Sequence, residues 1–179
     1  MRELRRLRAS CYEQVRGLPV PQPFDLPQFL ASVGVQRGRH IRLVLVPGLA
    51  AGDGFPNGWW AKLDHEDQIY VEHDTSPLHR AVIALHEVGH MLCGHSPDAV
   101  LDTAVLRQAL PDLEPAALAH MFATRHGYSK LEERQAEMVA ALLIERAGIG
   151  HVRVDGKPSK LIDRLGEALG HPLRDERCG

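Results

Sequence analysis

The residues His86-Glu87-Val88-Gly89-His90 are the part of this chain whose types and spacing could do chemistry. On a helix the two imidazoles sit one turn apart and face the same way, and the carboxylate beside the first borders the same space. Two neutral imidazoles, an acid able to take a proton and room for a water are what a catalytic zinc requires. His86 and His90 are therefore read as metal ligands and Glu87 as the general base. Such a centre also needs a third protein ligand and an open fourth position. A His-Glu-x-x-His-x-x-Gly-x-x-His continuation would supply the ligand, but Gly94 and His95 are each displaced from it by one position.

An acid from a second helix is the other source, and the stretch 129–143 offers one. Ser129 and Glu132 have the spacing of a capping box, which commits Glu132 to the helix start. Glu133 is then free to be the third ligand. It shares a helix face with Ala136, Glu137 and Ala140, and the small residues there would let the helix lie close to the motif helix. Glu137, one turn on, is read as an acceptor for a histidine N–H, or as the ligand in a shifted register. The plain alternative is that both are solvent-facing carboxylates, as most helix glutamates are.

Nearby groups have competing readings too. Tyr128 is a candidate donor to a tetrahedral oxyanion, against simple packing at the start of a helix. A Cys93 thiolate as a fourth protein ligand would close the position the water needs, so Cys93 is read as core. His95 follows Gly94, where a helix should stop, and a structural role is favoured over ligation.

His-Glu-Val-Gly-His-Met-Leu-Cys-Gly-His, followed downstream by Glu-Arg-Gln-Ala-Glu-Met-Val-Ala-Ala-Leu-Leu, resembles the ImmA/IrrE family of small bacterial metallopeptidases. The resemblance runs from Ile41 to Leu143. It implies His86, His90 and Glu133 as metal ligands and Glu87 as catalytic base; Zn2+ is the cofactor the ligand types lead one to expect, with Mn2+ as the other ion a cell could supply. It also implies a single cellular protein as substrate, such as a helix-turn-helix transcriptional repressor. Glu137 stands where that family commonly has Asn or Asp, and Val139 where it has an aromatic residue.

The elements that must position these groups can be read from pattern. Ser76-Pro77 supplies an N-cap and a first-turn proline, after which Leu78, Val82, Leu85, Gly89 and Leu92 recur at helical period and Gly94 offers a stop. The metal-site helices are expected at about 77–93 and 130–146. Residues 2–17 read as a helix with Leu4, Leu7, Cys11 and Val15 on one stripe and Arg2, Arg5, Arg6 and Arg8 around it. Pro19 to Pro27 breaks it, and Asp25-Leu26-Pro27 opens a short helix ended by Gly34. Strand signals at Ile41–Val46, Gly58–Leu63 and Gln68–Glu72 suggest an antiparallel meander over about 41–72. Adjacent Trp59 and Trp60 point to opposite faces, one to the core and one to a partly covered surface. Further helical stretches are expected from 98 to 109 and from 114 to 125, with His120 and His126 in or beside the second. An amphipathic helix is expected at about 159–169. The expected fold is α+β, a single domain over 1–179. It would have a small antiparallel sheet packed on a zincin-type His-Glu-x-x-His helix and further helices supplying the third ligand.

Composition sets the outer limits. At 179 residues and 44% hydrophobic the chain can bury one substantial core. A formal charge of −2 gives no electrostatic case for nucleic acid or an anionic membrane as the main partner, and the basic N-terminal helix is read as a solvated face. Three scattered cysteines, Cys11, Cys93 and Cys178, make a disulfide framework improbable and point to a reducing cytoplasm. The function expected is zinc-dependent endoproteolysis of a regulatory protein. The alternative is a non-catalytic regulatory or toxin–antitoxin-type interaction module that retains a metal site.

Overall fold

A computed structural model describes residues 2–47, 58–63, 65–95 and 128–149. The expected turn at 52–54, the helical stretches at 98–109 and 114–125 with His120 and His126, and the helix at 159–169 lie outside the described residues. So does Cys178.

Helix α1, Arg2–Val15, sets Cys11 and Val15 into the core and leaves Arg2, Arg5, Arg6 and Arg8 exposed. Its last carbonyl and one just beyond the helix are covered from far along the chain. Arg146 donates to the carbonyl oxygens of Val15 and Leu18, the latter at 2.9 Å, where a cation complements the negative end of a helix. Helix α2, Leu26–Arg37, begins as the sequence suggests, with the Asp25 carboxylate accepting from Gln28 N–H at 2.7 Å. It does not stop at Gly34. The stop is Gly38, at φ 65°, and Gly34 serves packing instead: a Cβ there would lie 2.8 Å from the Arg39 carbonyl oxygen. Its bare Cα lets the chain turn back against the helix.

Three strands follow: β1 His40–Val46, β2 Gly58–Lys62 and β3 Glu66–Glu72. They form a mixed sheet of order β1-β3-β2, with β1 parallel and β2 antiparallel to β3. The expected antiparallel meander is therefore wrong in order and in direction. A tight turn, closed by Leu63 N–H to Glu66 C=O at 2.9 Å, makes β2 and β3 a hairpin, and β1 enters on the other side of β3. Arg39 fixes that placement by donating to the Leu63 and Glu66 carbonyls and to the buried Asp67 carboxylate. Alternating hydrophobicity states that a segment is a strand, and says nothing about its neighbour. As the middle strand, β3 is buried from Asp67 through Glu72. Both tryptophans are buried, contrary to expectation. Trp60 belongs to the core with Ile69 and Val71, while Trp59 stacks on Tyr70 at 4.5 Å between ring centroids.

Helix α3, Pro77–Cys93, starts with Ser76 accepting from His79 N–H at 3.1 Å and ends at Gly94, φ 70°. Its burial is wider than the expected stripe. Everything from Ile83 to Met91 is buried, whereas Leu78 in the first turn is 49% exposed. Helix α4, Lys130–Ala147, crosses it, and its capping box forms in both directions between Ser129 and Glu132. Among the described residues the fold is α+β, four helices around a small three-stranded mixed sheet. None of these helices is long and apolar enough to cross a membrane.

Candidate metal centre

Where α3 meets α4, no side chain separates the two backbones. A Cβ on Gly89 would lie 2.7 Å from the carbonyl oxygen of Ala136 and 2.8 Å from its Cα, closer than atoms pack. The small-residue face expected on α4 is real, and Gly89 is its counterpart on α3. This contact brings the first turn of α4 against the two histidines.

His86, His90 and Glu133 meet there. Glu133 Oε2 is 3.3 Å from His86 Nε2 and 3.7 Å from His90 Nε2, and the two Nε2 atoms are 3.0 Å apart. All three ligand atoms lie within 4.8 Å of one another, a group that could hold a metal ion. Both histidines are buried, and Glu133 keeps 24% of its side chain exposed, although its oxygen nearest the rings is buried. Cys93 and His95 are not part of this set.

The electrostatics follow from burial and proximity. Desolvation pulls His86 down, but the carboxylates of Glu133, Glu87 and Glu137 outweigh it and its pKa is raised. Burial dominates at His90, whose pKa falls to about 4 although Glu133 opposes the shift. Glu133 loses some of its ionisation to desolvation, yet the two rings hold its carboxyl well below the usual range. An anionic oxygen between two imidazoles is a donor set suited to a divalent cation.

Glu87 is buried beside this group rather than in it. Desolvation and the Glu133 charge raise its pKa to about 7, against the lowering effects of His86 and of a hydrogen bond from Trp60 N–H. That bond reveals which side of the sheet faces the site. Leu63 N–H points to β3, so in an antiparallel pair Ala61 and Trp59 do as well. Trp60 N–H then points away from β3, on the side of β2 that has no strand neighbour among the described residues. The carboxyl of Glu87 is thus fastened to that side of β2, at a pKa suited to taking and returning a proton.

Other groups surround the centre. Tyr128 stacks on His90, with centroids 3.7 Å apart and planes inclined by 21°. Its hydroxyl is buried with no hydrogen-bond partner among the described residues, and burial with the nearby carboxylates raises its pKa. Glu137 is fully buried on α4, close enough to His86 for its charge to be felt there. His95 lies behind His90, its Nδ1 3.0 Å from His90 Nδ1, while its Nε2 is 3.0 Å from Gln135 Oε1. Cys93 borders His95; its interaction with the buried Cys11 lowers the Cys93 pKa and raises that of Cys11, whose thiol donates to the Gln135 carbonyl oxygen at 3.8 Å. Both thiols are free.

Sequence reasoning named the three side chains that meet and the buried acid beside them, but missed Gln135, the Trp60 N–H and the direction of His95. For His95 the signal was available. After a left-handed Gly94, the N–H of Gly94 returns to Met91 C=O and that of His95 to His90 C=O. This is the Schellman arrangement, which folds the residue after the glycine back onto the last turn. Compared with family models, curated proteins and solved structures, the chain matches none.

Proposed function

We propose that the chain is a zinc-dependent endopeptidase on a zincin-type arrangement, which cleaves one regulatory protein such as a helix-turn-helix repressor. The observation that carries this reading is the pairing of a two-imidazole, one-carboxylate group with a separate buried acid. A metal site kept only for structure has no use for that acid. The resemblance to ImmA/IrrE metallopeptidases supports the substrate class. Held by His86, His90 and Glu133, Zn2+, or Mn2+ in its place, would polarise a carbonyl and make a water acidic enough to attack near neutral pH.

The protein's own groups supply the rest. Glu87 takes a proton from the water as its oxygen attacks the peptide carbonyl, then delivers that proton to the amine nitrogen as the C–N bond breaks. The Tyr128 hydroxyl, lacking another partner among the described residues, donates to the oxyanion.

The test is zinc-loaded protein incubated with a helix-turn-helix repressor, with fragments read by mass spectrometry and metal content measured alongside. Glu87→Gln should retain zinc and slow cleavage by roughly 10²–10⁴-fold. Equal cleavage by the variant, or no zinc uptake by the wild type, would sink the reading. Zinc uptake with no proteolysis would favour the interaction-module alternative.

A further inference from the structure

A neutral imidazole that ligates a cation offers one nitrogen lone pair, so its proton must sit on the other nitrogen. His90 turns Nε2 toward His86 and Glu133, and Nδ1 toward His95 Nδ1 at 3.0 Å. Two like nitrogens at that distance are hydrogen-bonded only if one carries a proton and the other does not. The choice is made one ring further out. His95 Nε2 is 3.0 Å from Gln135 Oε1, and an amide oxygen can only accept. A neutral His95 therefore keeps its proton on Nε2, offers a lone pair at Nδ1, and receives the proton of His90 Nδ1. That leaves the His90 Nε2 lone pair facing Glu133.

We propose that Gln135 and His95 are positioning residues: the amide oxygen, acting through one imidazole, fixes His90 in the Nδ1–H tautomer, whose Nε2 can hold a cation. The proposal rests on reading His86, His90 and Glu133 as a cation site, and is independent of what that site cleaves. The two residues are placed by features already described. The Gly94 turn folds His95 back, burying it behind His90. Gln135 comes from the helix that carries Glu133, so α4 supplies both a ligand and the acceptor that sets a second ligand's proton. Polarity matters. An amide turned the other way would donate to His95, reverse every proton in the relay and leave a hydrogen on His90 Nε2, where no cation could bind.

The experiment uses the full chain with ¹⁵N-labelled histidine, metal-free, to assign the His90 tautomer, followed by zinc affinity from chelator competition. The wild type should show His90 protonated at Nδ1. Gln135→Met, close in shape but without the amide acceptor, should weaken zinc binding about 10- to 100-fold with an unchanged unfolding midpoint. Gln135→Glu, which restores an acceptor, should recover most of that affinity. Cys93→Ala removes the sulfur that also borders His95 and should leave affinity within about twofold, well short of the 10- to 100-fold loss expected for a missing supporting bond. A proton on His90 Nε2 in the wild type overturns the proposal. So does zinc binding that Gln135→Met leaves intact, or that Cys93→Ala weakens as much. No zinc uptake by the wild type overturns the cation site itself, and the relay with it.

Discussion

A buried hydroxyl without a partner costs stability, since it gives up water and receives nothing in return. Among the described residues Tyr128 is in that position, stacked on the His90 ring with its oxygen enclosed. Tyr128→Phe keeps the stacking and removes the orphan oxygen. The expected result is a stability gain of about 1 kcal/mol together with a loss of roughly 10²–10³ in kcat. Thermal unfolding and single-turnover cleavage on the same preparation would measure both, and a variant with unchanged kcat would remove Tyr128 from the chemistry. Residue types alone made the His86, His90 and Glu133 group and its neighbour Glu87 legible here, because imidazoles at i and i+4 and an acid after a capping box have a spacing that can meet at one point. The Trp60 N–H was not legible. Every residue but proline carries one, and only the sheet's hydrogen-bond parity shows which of them points at an acid.

At the level of elements, α3 and α4 are joined through the bare contact of Gly89 with Ala136. Gly89→Ala would improve helix propensity slightly, but the added methyl must push the α4 backbone away. A net destabilisation of about 1–3 kcal/mol in urea unfolding is expected, with zinc affinity falling as Glu133 withdraws from the rings. The start of α4 has its own acid sensitivity. The Ser129 N–H holds Glu132 ionised, and its pKa is lowered although desolvation opposes the shift. A lowered carboxyl pKa contributes stability above the unfolded-state value, and that contribution is lost as pH falls through the folded-state value. Wild type should therefore be more stable than Glu132→Gln near neutrality, and the two unfolding midpoints should converge as the solution is acidified. The ends of these helices were legible from Ser76, Gly94 and Ser129. Gly34 misled because a glycine inside a helix that packs on a returning chain looks, in sequence, like a glycine that ends one.

Across the whole molecule the sheet, α2 and α3 are tied by a charged cluster. Asp67 is fully buried and receives Arg37 at 3.2 Å and Arg39 at 3.4 Å, while Arg37 also reaches the Met91 carbonyl of α3 at 2.8 Å. Removing one partner of a buried ion pair leaves the other's charge uncompensated. Asp67→Asn should cost about 3–5 kcal/mol by chemical denaturation, towards the lower end because both guanidinium groups keep some contact with water. A loss below about 1 kcal/mol would mean the cluster behaves as a surface pair. This level was the least legible in sequence. Arg37, Arg39 and Asp67 have no periodic relation, and they meet only because β1 lies on the far side of β3 from its hairpin partner. Local patterns report how a segment is built. They do not carry the order in which segments assemble.

The seam at Gly89 has one more effect. With backbone already on backbone, the gap that spaces two rings from an acid is set by atomic radii and cannot be narrowed by choosing a smaller residue. It widens only by prising apart two interior helices. An ion of different size would therefore be accommodated by swinging Glu133, the partly exposed member of the three, so that carboxylate would act as the adjustable jaw of an otherwise rigid vice.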